Sequence, residues 1–259
     1  MSGAASLNGV GRRTSLDPVA RAHTHPADRF FYPLAALTAV TFVAEIFFVF
    51  LRAPVEVRMG IVQKIFYFHV PSAYAMYLGA TACFAGSVAY LVRPTDASDA
   101  LARAGAEAAI VFGAIVLTTG PLWGAKAWGT FWTWDPRLTT ALLSVLIYVA
   151  YAVLRAFAGD GSAERKFSAA LGVLGAANLP IIHFSVQKWG GQHPMVITGK
   201  GGGLQHPDMK LALVLGFFAF TMLAVLLVWA RTRVELARSR LLRAEDDAID
   251  LGLDTRTEA

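Results

Sequence analysis

Six apolar segments, each long enough to cross a lipid bilayer, constrain this sequence more than any other feature. A transmembrane α-helix needs about 20 mostly apolar residues. The predicted spans are Phe30–Leu51, Pro71–Val92, Ala106–Trp123, Leu138–Phe157, Phe167–Gln187 and Met209–Ala230. With 56% hydrophobic and only 16% charged residues, the chain is too apolar for a soluble domain. The sequence therefore predicts an all-α polytopic membrane protein, folded as a bundle of six transmembrane helices.

The basic residues predict which way the chain crosses the membrane. Most of the 23 Lys and Arg residues flank the spans on the side of the N-terminus. Because basic residues favour the cytoplasmic side, both termini are predicted to be cytoplasmic. We divide the chain into an N-terminal tail at 1–29, a six-helix membrane domain at 30–231 and a charged C-terminal tail at 232–259. The tail at 1–29 lacks the apolar region of a cleaved signal peptide.

The net charge and the cysteine content exclude several classes of protein. The net charge of +5 is explained by the orientation of the helices, since the basic residues lie beside apolar runs. Membrane lipid is therefore a predicted partner and nucleic acid is not. Cys83 is the only cysteine, which rules out an intrachain disulfide and a Cys-x-x-Cys motif. No Gly-x-Ser-x-Gly, phosphate-loop or His-Glu-x-x-His motif is present, so no catalytic residues are predicted.

A tryptophan-rich connection, predicted to lie outside the membrane at residues 123–139, is the most unusual segment. It holds four of the six tryptophans of the chain, namely Trp123, Trp128, Trp132 and Trp134. Gly124 and Gly129 permit close approach of the backbone, and the charged residues Asp135 and Arg137 close the segment. Two interpretations stay open: an aromatic belt that anchors helix ends at the membrane surface, or the wall of a slot for a flat ligand.

Two histidines lie at the predicted outer ends of spans. His69 precedes Pro71 at the start of the second span, and His183 follows Pro180 near the end of the fifth. Ionisable residues in spans are candidates for function, although a hydrogen-bonded core histidine is the alternative. Neutral imidazole is a common iron ligand, and a flat porphyrin fits aromatic surroundings. Zinc takes four ligands in a tetrahedron, and this side of the chain offers few acids and no cysteine, so haem is preferred.

For four charged residues the sequence allows more than one role. Lys126 and Arg137 either bind carboxylates of a ligand or extend from helix ends to the membrane surface. Asp135 either caps the fourth helix, with Pro136 in its first turn, or contributes to a ligand site, and the two roles are compatible. Glu45, within the first span, must be neutral, paired or next to a cavity.

The segment Trp128–Thr139 carries a specific resemblance. It reads Trp-Gly-Thr-Phe-Trp-Thr-Trp-Asp-Pro-Arg-Leu-Thr and resembles the tryptophan-rich WWD signature of haem-handling proteins in cytochrome c maturation. Its ending, Arg137-Leu-Thr, is similar to that of the haem exporter protein C (CcmC) branch. The stretches around His69 (Lys-Ile-Phe-Tyr-Phe-His-Val-Pro) and His183 (Leu-Pro-Ile-Ile-His-Phe-Ser-Val) resemble the two histidine motifs of that family. The resemblance covers about residues 30–231.

The resemblance implies a site for haem b, bound non-covalently. In the family, the two motif histidines are the axial haem ligands and the tryptophan-rich loop is the haem platform. The haem-binding residues implied for this chain are His69, His183, Trp123, Trp128, Phe131, Trp132, Trp134, Asp135 and Arg137. At position 131 many members have tryptophan, and phenylalanine keeps a flat apolar face. Two axial histidines saturate the iron, which suits holding and handing over haem rather than oxygen chemistry.

The resemblance also implies partners and a location. It implies a haem-delivery protein rather than an enzyme, multi-pass in the bacterial inner membrane, with the haem site on the periplasmic side. The expected partners are a membrane-anchored periplasmic haem chaperone, the subunits of an ATP-binding cassette transporter and a small accessory membrane protein. Two alternatives stay open: a bis-histidine haem oxidoreductase or electron carrier, and a haem-free small-molecule transporter.

Overall fold

Six long helices form the protein in the computed structural model, which describes residues 28–157, 161–193 and 204–252. The helices are α1 (Asp28–Phe47), α2 (Phe66–Val92), α3 (Asp96–Trp128), α4 (Pro136–Phe157), α5 (Ser162–Trp189) and α6 (Pro207–Asp250), with a π-helical turn after α1 (Phe48–Arg52) and a 3-10 helix before α2 (Ile61–Ile65). Each of the six is long and apolar enough to cross a membrane, and the described ranges contain no strand. The predicted all-α six-helix membrane fold is confirmed. The predicted N-terminal tail lies almost wholly outside the described residues.

The third helix begins earlier than the sequence analysis predicted. It starts at Asp96 rather than Ala106, and the polar link before it shortens to residues 93–95. Thr95 caps the helix, because its hydroxyl accepts from the backbone N–H of Ser98 at 3.2 Å. The Ser98 hydroxyl in turn accepts from the Thr95 N–H at 3.3 Å. This reciprocal capping box stabilises a helix start in a stretch that the apolar pattern alone assigned to a loop.

The third helix also ends later than predicted. It continues to Trp128 and stops where Gly129 adopts the left-handed conformation, with φ of 74°. Glycine is favoured at this position because a side chain is strained there. Trp123 therefore lies on α3 together with Trp128, and the connection to α4 spans only residues 129–135, shorter than the predicted loop at 123–139.

The 3-10 helix before α2 fixes the start of α2 against the end of α1. Lys64 is buried there, and its ammonium donates to the carbonyls of Val49 at 2.7 Å and Phe50 at 3.2 Å. The last carbonyls of a helix have no partner within it, and a cation at this end is favourable. Because α2 begins at Phe66, His69 lies in its first turn.

The centre of the bundle is formed by α2 and α3, which pack at backbone contact. A methyl group placed on Gly105 of α3 would collide with the backbone nitrogen of Cys83, and one on Gly79 of α2 would lie 2.7 Å from the nitrogen of Ala109. Small residues allow such close approach between membrane helices. The other helices pack against this pair, and buried side chains such as Phe112 fill the space between them. Helix α1 packs on α6 at the edge of the bundle.

Ion pairs connect the helices at one end of the bundle, where α3 and α5 begin and α4 ends. Arg155 of α4 donates to Asp99 of α3 at 2.8 Å, and both side chains are buried. The helix α6 continues to Asp250, across the boundary predicted between membrane domain and charged tail, and its Glu235 pairs with Arg103 at 3.0 Å. We call this region the ion-pair end; its residues are Asp96, Asp99, Arg103, Glu107, Arg155, Arg165, Arg231, Glu235 and Arg243.

Candidate functional site

A cavity of about 570 Å³ lies at the other end of the bundle, where α2, α4 and α6 begin and α3 and α5 end. Three histidines and three tryptophans line it, namely His69, His183, His193, Trp123, Trp128 and Trp132. Pockets for cofactor-sized ligands have volumes of roughly 300–1,000 Å³ and mostly apolar linings with a few polar groups. The cavity therefore has the size and the lining of a site for a flat, largely apolar molecule.

Most of the residues predicted to bind haem lie at this cavity. They are His69, His183, Trp123, Trp128, Trp132 and Arg137. The other three do not line it: Phe131 and Trp134 are 62% and 76% exposed on the connection before α4, and Asp135 is buried. A ligand in the cavity would therefore reach Phe131 and Trp134 only by extending to the outer surface of that connection. Haem binding by all nine residues stays a prediction.

The hydrogen bonds around His69 determine which ring nitrogen carries its proton. The Thr119 hydroxyl donates its one hydrogen to the carbonyl of Ile115 at 2.6 Å. His69 Nδ1 lies 2.8 Å from the same hydroxyl oxygen, so Nδ1–H is the donor in that contact. The Nε2 atom then keeps its lone pair, which is the tautomer that binds a metal ion. A methyl group on Gly120 would lie 3.1 Å from His69 Cε1, so the glycine leaves room for the ring.

The backbone of His183 is held in place by Arg137. The Arg137 guanidinium, at the start of α4, donates from Nη2 to the His183 carbonyl at 2.9 Å. The His183 ring packs edge-to-face on Phe184, with ring centroids 4.8 Å apart. His183 also lines a second, shallower cavity on the outer face between α2 and α5, together with Tyr77. The contact between Arg137 and His183 joins the first turn of α4 to the last turns of α5.

The tryptophans form two edge-to-face pairs. Trp123 packs on Trp128 and Trp132 packs on Trp134, each with ring centroids 5.8 Å apart. The Trp123 indole N–H donates to the side-chain oxygen of Gln63 at 3.3 Å, and Gln63 is buried in the 3-10 helix before α2. Gln63 was not predicted as a site residue. No pattern in the local sequence distinguishes it, because its role depends on α3 packing beside it.

Asp135 organises the connection before α4 through backbone contacts. One carboxylate oxygen accepts from the N–H groups of Arg137 at 2.8 Å and Leu138 at 3.4 Å, which is the predicted helix cap. The other oxygen accepts from the N–H of Gln192 at 2.7 Å, beyond the end of α5. A methyl group on Gly191 would collide with the same carboxylate. Asp135 therefore joins the start of α4 to the segment after α5, and we call this contact the Asp135 clamp.

A third histidine, His193, lines the cavity and was not predicted as a site residue. The Asp135 clamp holds the backbone next to it, and Arg137 Nη1 lies 3.3 Å from its Nδ1 atom. His193 lies beyond Gln187, where the predicted fifth span ends. Its only sequence signal is the Gly190–Gly191 pair, which permits the positive φ angles of 74° and 146° needed to turn the chain back.

The donor set fits a haem better than a compact metal site. Within the parts of the chain that the structure describes, no group of three or more His, Cys, Asp or Glu side chains lies close enough to hold a metal ion. Zinc would need about four such ligands. The histidines are instead distributed around an aromatic cavity, and His69 has the tautomer required of an axial ligand. The residues present therefore fit a haem.

Comparison with known proteins is consistent with this chemistry. The sequence model of the family described as Heme exporter protein C (CcmC) matches residues 18–246. The chain is 36% identical to the Heme exporter protein C of Bradyrhizobium diazoefficiens over 191 residues, which cover 73% of this chain and 72% of the relative. It is 35% identical to that of Escherichia coli over 187 residues, covering 70% and 73%. It is 30% identical to that of Rhodobacter capsulatus over 213 residues, covering 82% and 88%.

These matches extend across most of the chain, from before α1 into the continuation of α6. They include the six helices, the cavity and the ion-pair end, so they confirm the predicted resemblance. The structure adds that the helices are long and apolar enough to cross a membrane. The chain therefore belongs to the haem exporter protein C (CcmC) family, as a multi-pass inner-membrane protein of haem handling in cytochrome c maturation rather than an enzyme.

Proposed function

We propose that this protein holds haem b non-covalently in the cavity, with His69 and His183 as its two axial ligands, and hands it to a partner. The observation that carries the proposal is that both histidines line one cavity together with three indole rings and a guanidinium. The haem is the cargo of the protein rather than a permanent group. Two axial imidazoles fill the coordination sphere of the iron, which suits storage and transfer rather than reaction with oxygen.

Each part of the cavity has a separate task in this proposal. The tryptophans provide flat apolar surface for the porphyrin ring, which is largely apolar. Thr119 orients the His69 ring and keeps its Nε2 lone pair available. Arg137 holds the backbone of His183 and places a positive charge next to the acidic groups of the haem. Phe131 and Trp134, exposed beside the cavity, contact the edge of the haem that faces outward.

We also propose that the cavity faces the periplasm. The ion-pair end contains five arginines, and the cavity lies at the opposite end of the same helices. An excess of arginine marks the cytoplasmic side of a membrane protein. With the ion-pair end in the cytoplasm, both chain termini are cytoplasmic and the haem is held at the outer surface of the inner membrane.

Delivery requires partners, and the family name indicates their kind. Relatives of this chain are named Heme exporter protein C, which implies an export system of several subunits. We propose a membrane-anchored periplasmic haem chaperone as the acceptor. We further propose that subunits of an ATP-binding cassette transporter and a small accessory membrane protein drive its release.

Replacement of the two histidines tests the proposal. The full-length protein is produced with excess haem and purified, and its haem content and absorption spectrum are recorded for wild type, His69→Ala and His183→Ala. We expect both variants to lose most of their haem and the low-spin spectrum of bis-histidine iron. His206→Asn serves as control, because His206 lies outside the cavity and asparagine can also cap α6.

Three outcomes would contradict the proposal in different ways. Wild-type haem content and spectrum in both histidine variants would show that the ligands are wrong. A wild-type protein without any Soret band would support a haem-free transporter. Turnover with a quinol, with c-type cytochromes still formed when the gene is deleted, would support an oxidoreductase.

A further inference from the structure

Glu45 is a buried acid within the first membrane-spanning helix. Its side chain is 0% exposed, and no hydrogen-bond donor among the described residues reaches its carboxyl oxygens. The buried cation at this end of α1 does not balance it, because the Lys64 ammonium donates to the carbonyls of Val49 and Phe50. Glu45 also lines neither of the two cavities. An ionised carboxylate without a partner is very costly in such a place, which leaves the neutral carboxylic acid.

A backbone carbonyl at the start of α2 lacks its usual partner. In an α-helix the carbonyl of Tyr67 accepts from the N–H group of the residue at position 71. Position 71 is a proline, which has no N–H group. Within a membrane such a freed backbone group has to be satisfied by a neighbouring helix or side chain. A donor that reaches the Tyr67 carbonyl from another helix is therefore favourable.

The close approach of α6 shows that the acid and the freed carbonyl meet. A methyl group on Gly216 of α6 would lie 2.8 Å from Glu45 Oε1 and 2.9 Å from the Tyr67 carbonyl oxygen. It would also lie 2.9 Å from the ring of Pro71. The carboxyl of α1 and the carbonyl of α2 thus converge on the same side of one glycine. Two oxygens that both accept would repel each other there, whereas a protonated carboxyl has one O–H group to donate.

We propose that Glu45 is a protonated carboxylic acid that donates its O–H group to the Tyr67 carbonyl and so positions the first turn of α2, which carries His69. The proton removes the charge of the buried acid and gives the carbonyl freed by Pro71 a donor. His69 follows Tyr67 by two residues in the same turn. Glu45 is a positioning residue, since it acts on His69 through the backbone. Only this effect on His69 rests on the proposed function; the protonation and the hydrogen bond do not.

Infrared spectroscopy of the full-length protein in detergent, at neutral pH and without haem, tests the protonation. The difference spectrum between wild type and Glu45→Gln should contain the C=O stretching band of a hydrogen-bonded carboxylic acid. The control is Thr38→Val, since Thr38 is also buried in α1 and its hydroxyl donates to the Leu34 carbonyl of the same helix at 2.7 Å. This variant should keep the band. A wild-type protein without it has an ionised Glu45, which overturns the proposal.

A double-mutant cycle with Pro71 tests the hydrogen bond and its effect on His69. Glu45→Leu roughly keeps the volume of the side chain but removes the donor, so haem affinity should fall about fivefold, the value of one neutral hydrogen bond. Pro71→Ala restores an N–H group for the Tyr67 carbonyl within α2. In that background Glu45→Leu should change the affinity by less than about twofold. Glu45→Gln should keep the affinity of wild type, because an amide also donates.

Several outcomes would overturn the proposal. A loss in Glu45→Leu that is equally large with and without Pro71→Ala shows that Glu45 acts by packing and not through the Tyr67 carbonyl. A loss in Glu45→Gln as large as in Glu45→Leu shows that the donor is not what matters. If Glu45→Leu alone does not fold, the double variant with Pro71→Ala should fold, and its failure to fold counts against the proposal.

The same experiments separate this proposal from the proposed function. A wild-type protein that binds no haem overturns the proposed function and with it the effect on His69. The infrared band still decides the protonation of Glu45 in that case. The midpoint of thermal unfolding, measured over the same cycle of Glu45→Leu and Pro71→Ala, then decides the hydrogen bond: a coupling between the two substitutions supports it and additive effects overturn it.

Discussion

The two ends of the bundle differ in how they hold an arginine: Arg155 is buried at one end and Arg137 is partly buried at the other. At the ion-pair end, Arg155 is paired with Asp99 at 2.8 Å, so its charge is balanced within the chain. At the cavity end, Arg137 contacts a backbone carbonyl and the ring of His193, and no described carboxylate lies within ion-pair distance of it. Burying a charge is costly, and at the ion-pair end that cost is offset by a buried carboxylate. Arg137 is only partly buried, so its charge keeps access to solvent and to a ligand.

The comparison predicts that substitutions at the two ends affect different measurements. The largest effect is expected for Arg155→Leu, which leaves Asp99 buried with less compensation. Removing one partner of a buried ion pair costs about 3–5 kcal/mol. The midpoint of thermal unfolding in detergent should fall accordingly, while the folded fraction should keep its haem.

The double variant Asp99→Leu/Arg155→Leu is the control for this prediction. It removes both charges. Arg165, which also contacts Asp99 at 3.5 Å, keeps its contact with Asp96 at 3.2 Å. It should therefore be more stable than Arg155→Leu alone, since apolar residues can replace a buried pair at little cost. Loss of haem from the folded fraction as large as in His69→Ala would show that the two ends are not separable.

At the cavity end, Thr119→Val should reduce haem affinity and leave stability nearly unchanged. The substitution keeps the shape of the side chain but removes the acceptor of the His69 Nδ1–H group. Loss of such a partner weakens metal binding by about 10–100-fold. A haem titration measures this effect, and Thr119→Ser, which keeps the hydroxyl, should retain most of the affinity. Equal loss in both variants would contradict the assigned tautomer of His69.

A smaller effect is expected for Gly191→Ala, which should open the Asp135 clamp without touching the cavity. The alanine would be strained at φ of 146° and its methyl group would collide with the Asp135 carboxylate. His193 would then lose its fixed position in the cavity wall, so the affinity for haem should fall roughly fivefold, about the value of one hydrogen bond. Gly129→Asn is the matched control, because asparagine tolerates the left-handed conformation there and meets open space. A wild-type haem affinity in Gly191→Ala would show that the clamp does not shape the cavity.

The smallest effect is expected for Gln63→Leu, which removes the acceptor of the Trp123 indole N–H. A neutral hydrogen bond contributes about 1 kcal/mol, so haem should dissociate at most roughly fivefold faster. Stopped-flow measurement of haem transfer to apomyoglobin gives this rate. Trp123→Phe removes the donor. The double variant Gln63→Leu/Trp123→Phe should release haem no faster than the faster of the two single variants. Additive effects would show that this contact does not hold the indole.

Much of the site could be predicted because it follows from the order of the spans. His69 begins the second span and His183 ends the fifth, so the chain crosses four times between them. An even number of crossings returns it to the same end of the bundle, where the tryptophan-rich connection also lies. The predicted ends of α3 were wrong, because apolar content marks only the membrane-spanning part of the helix. Its true ends are set by the capping residues Thr95 and Gly129. With those residues read as caps, Trp123 and Trp128 would have been assigned to the helix.

The other residues of the site could not be found in this way. Gln63, Thr119 and His193 are ordinary polar residues with no local pattern. Each matters because of a partner distant in the chain: Thr119 is 50 residues from His69, and the Asp135 clamp joins residues 57 apart. Which polar groups meet across such distances depends on how the helices pack, and many packings are compatible with one apolar pattern.

The sequence by itself determined that this chain has six membrane-spanning segments and that His69, His183 and the tryptophan-rich connection lie at one end. Apolar length and basic flanks act on each segment separately, so they can be read without knowing the packing. Only the tertiary structure decided that His69 keeps the Nε2 lone pair, that His193 joins the cavity and that Arg137 contacts both His193 and the His183 carbonyl. Those properties depend on hydrogen bonds between different helices, which exist only after the bundle has assembled.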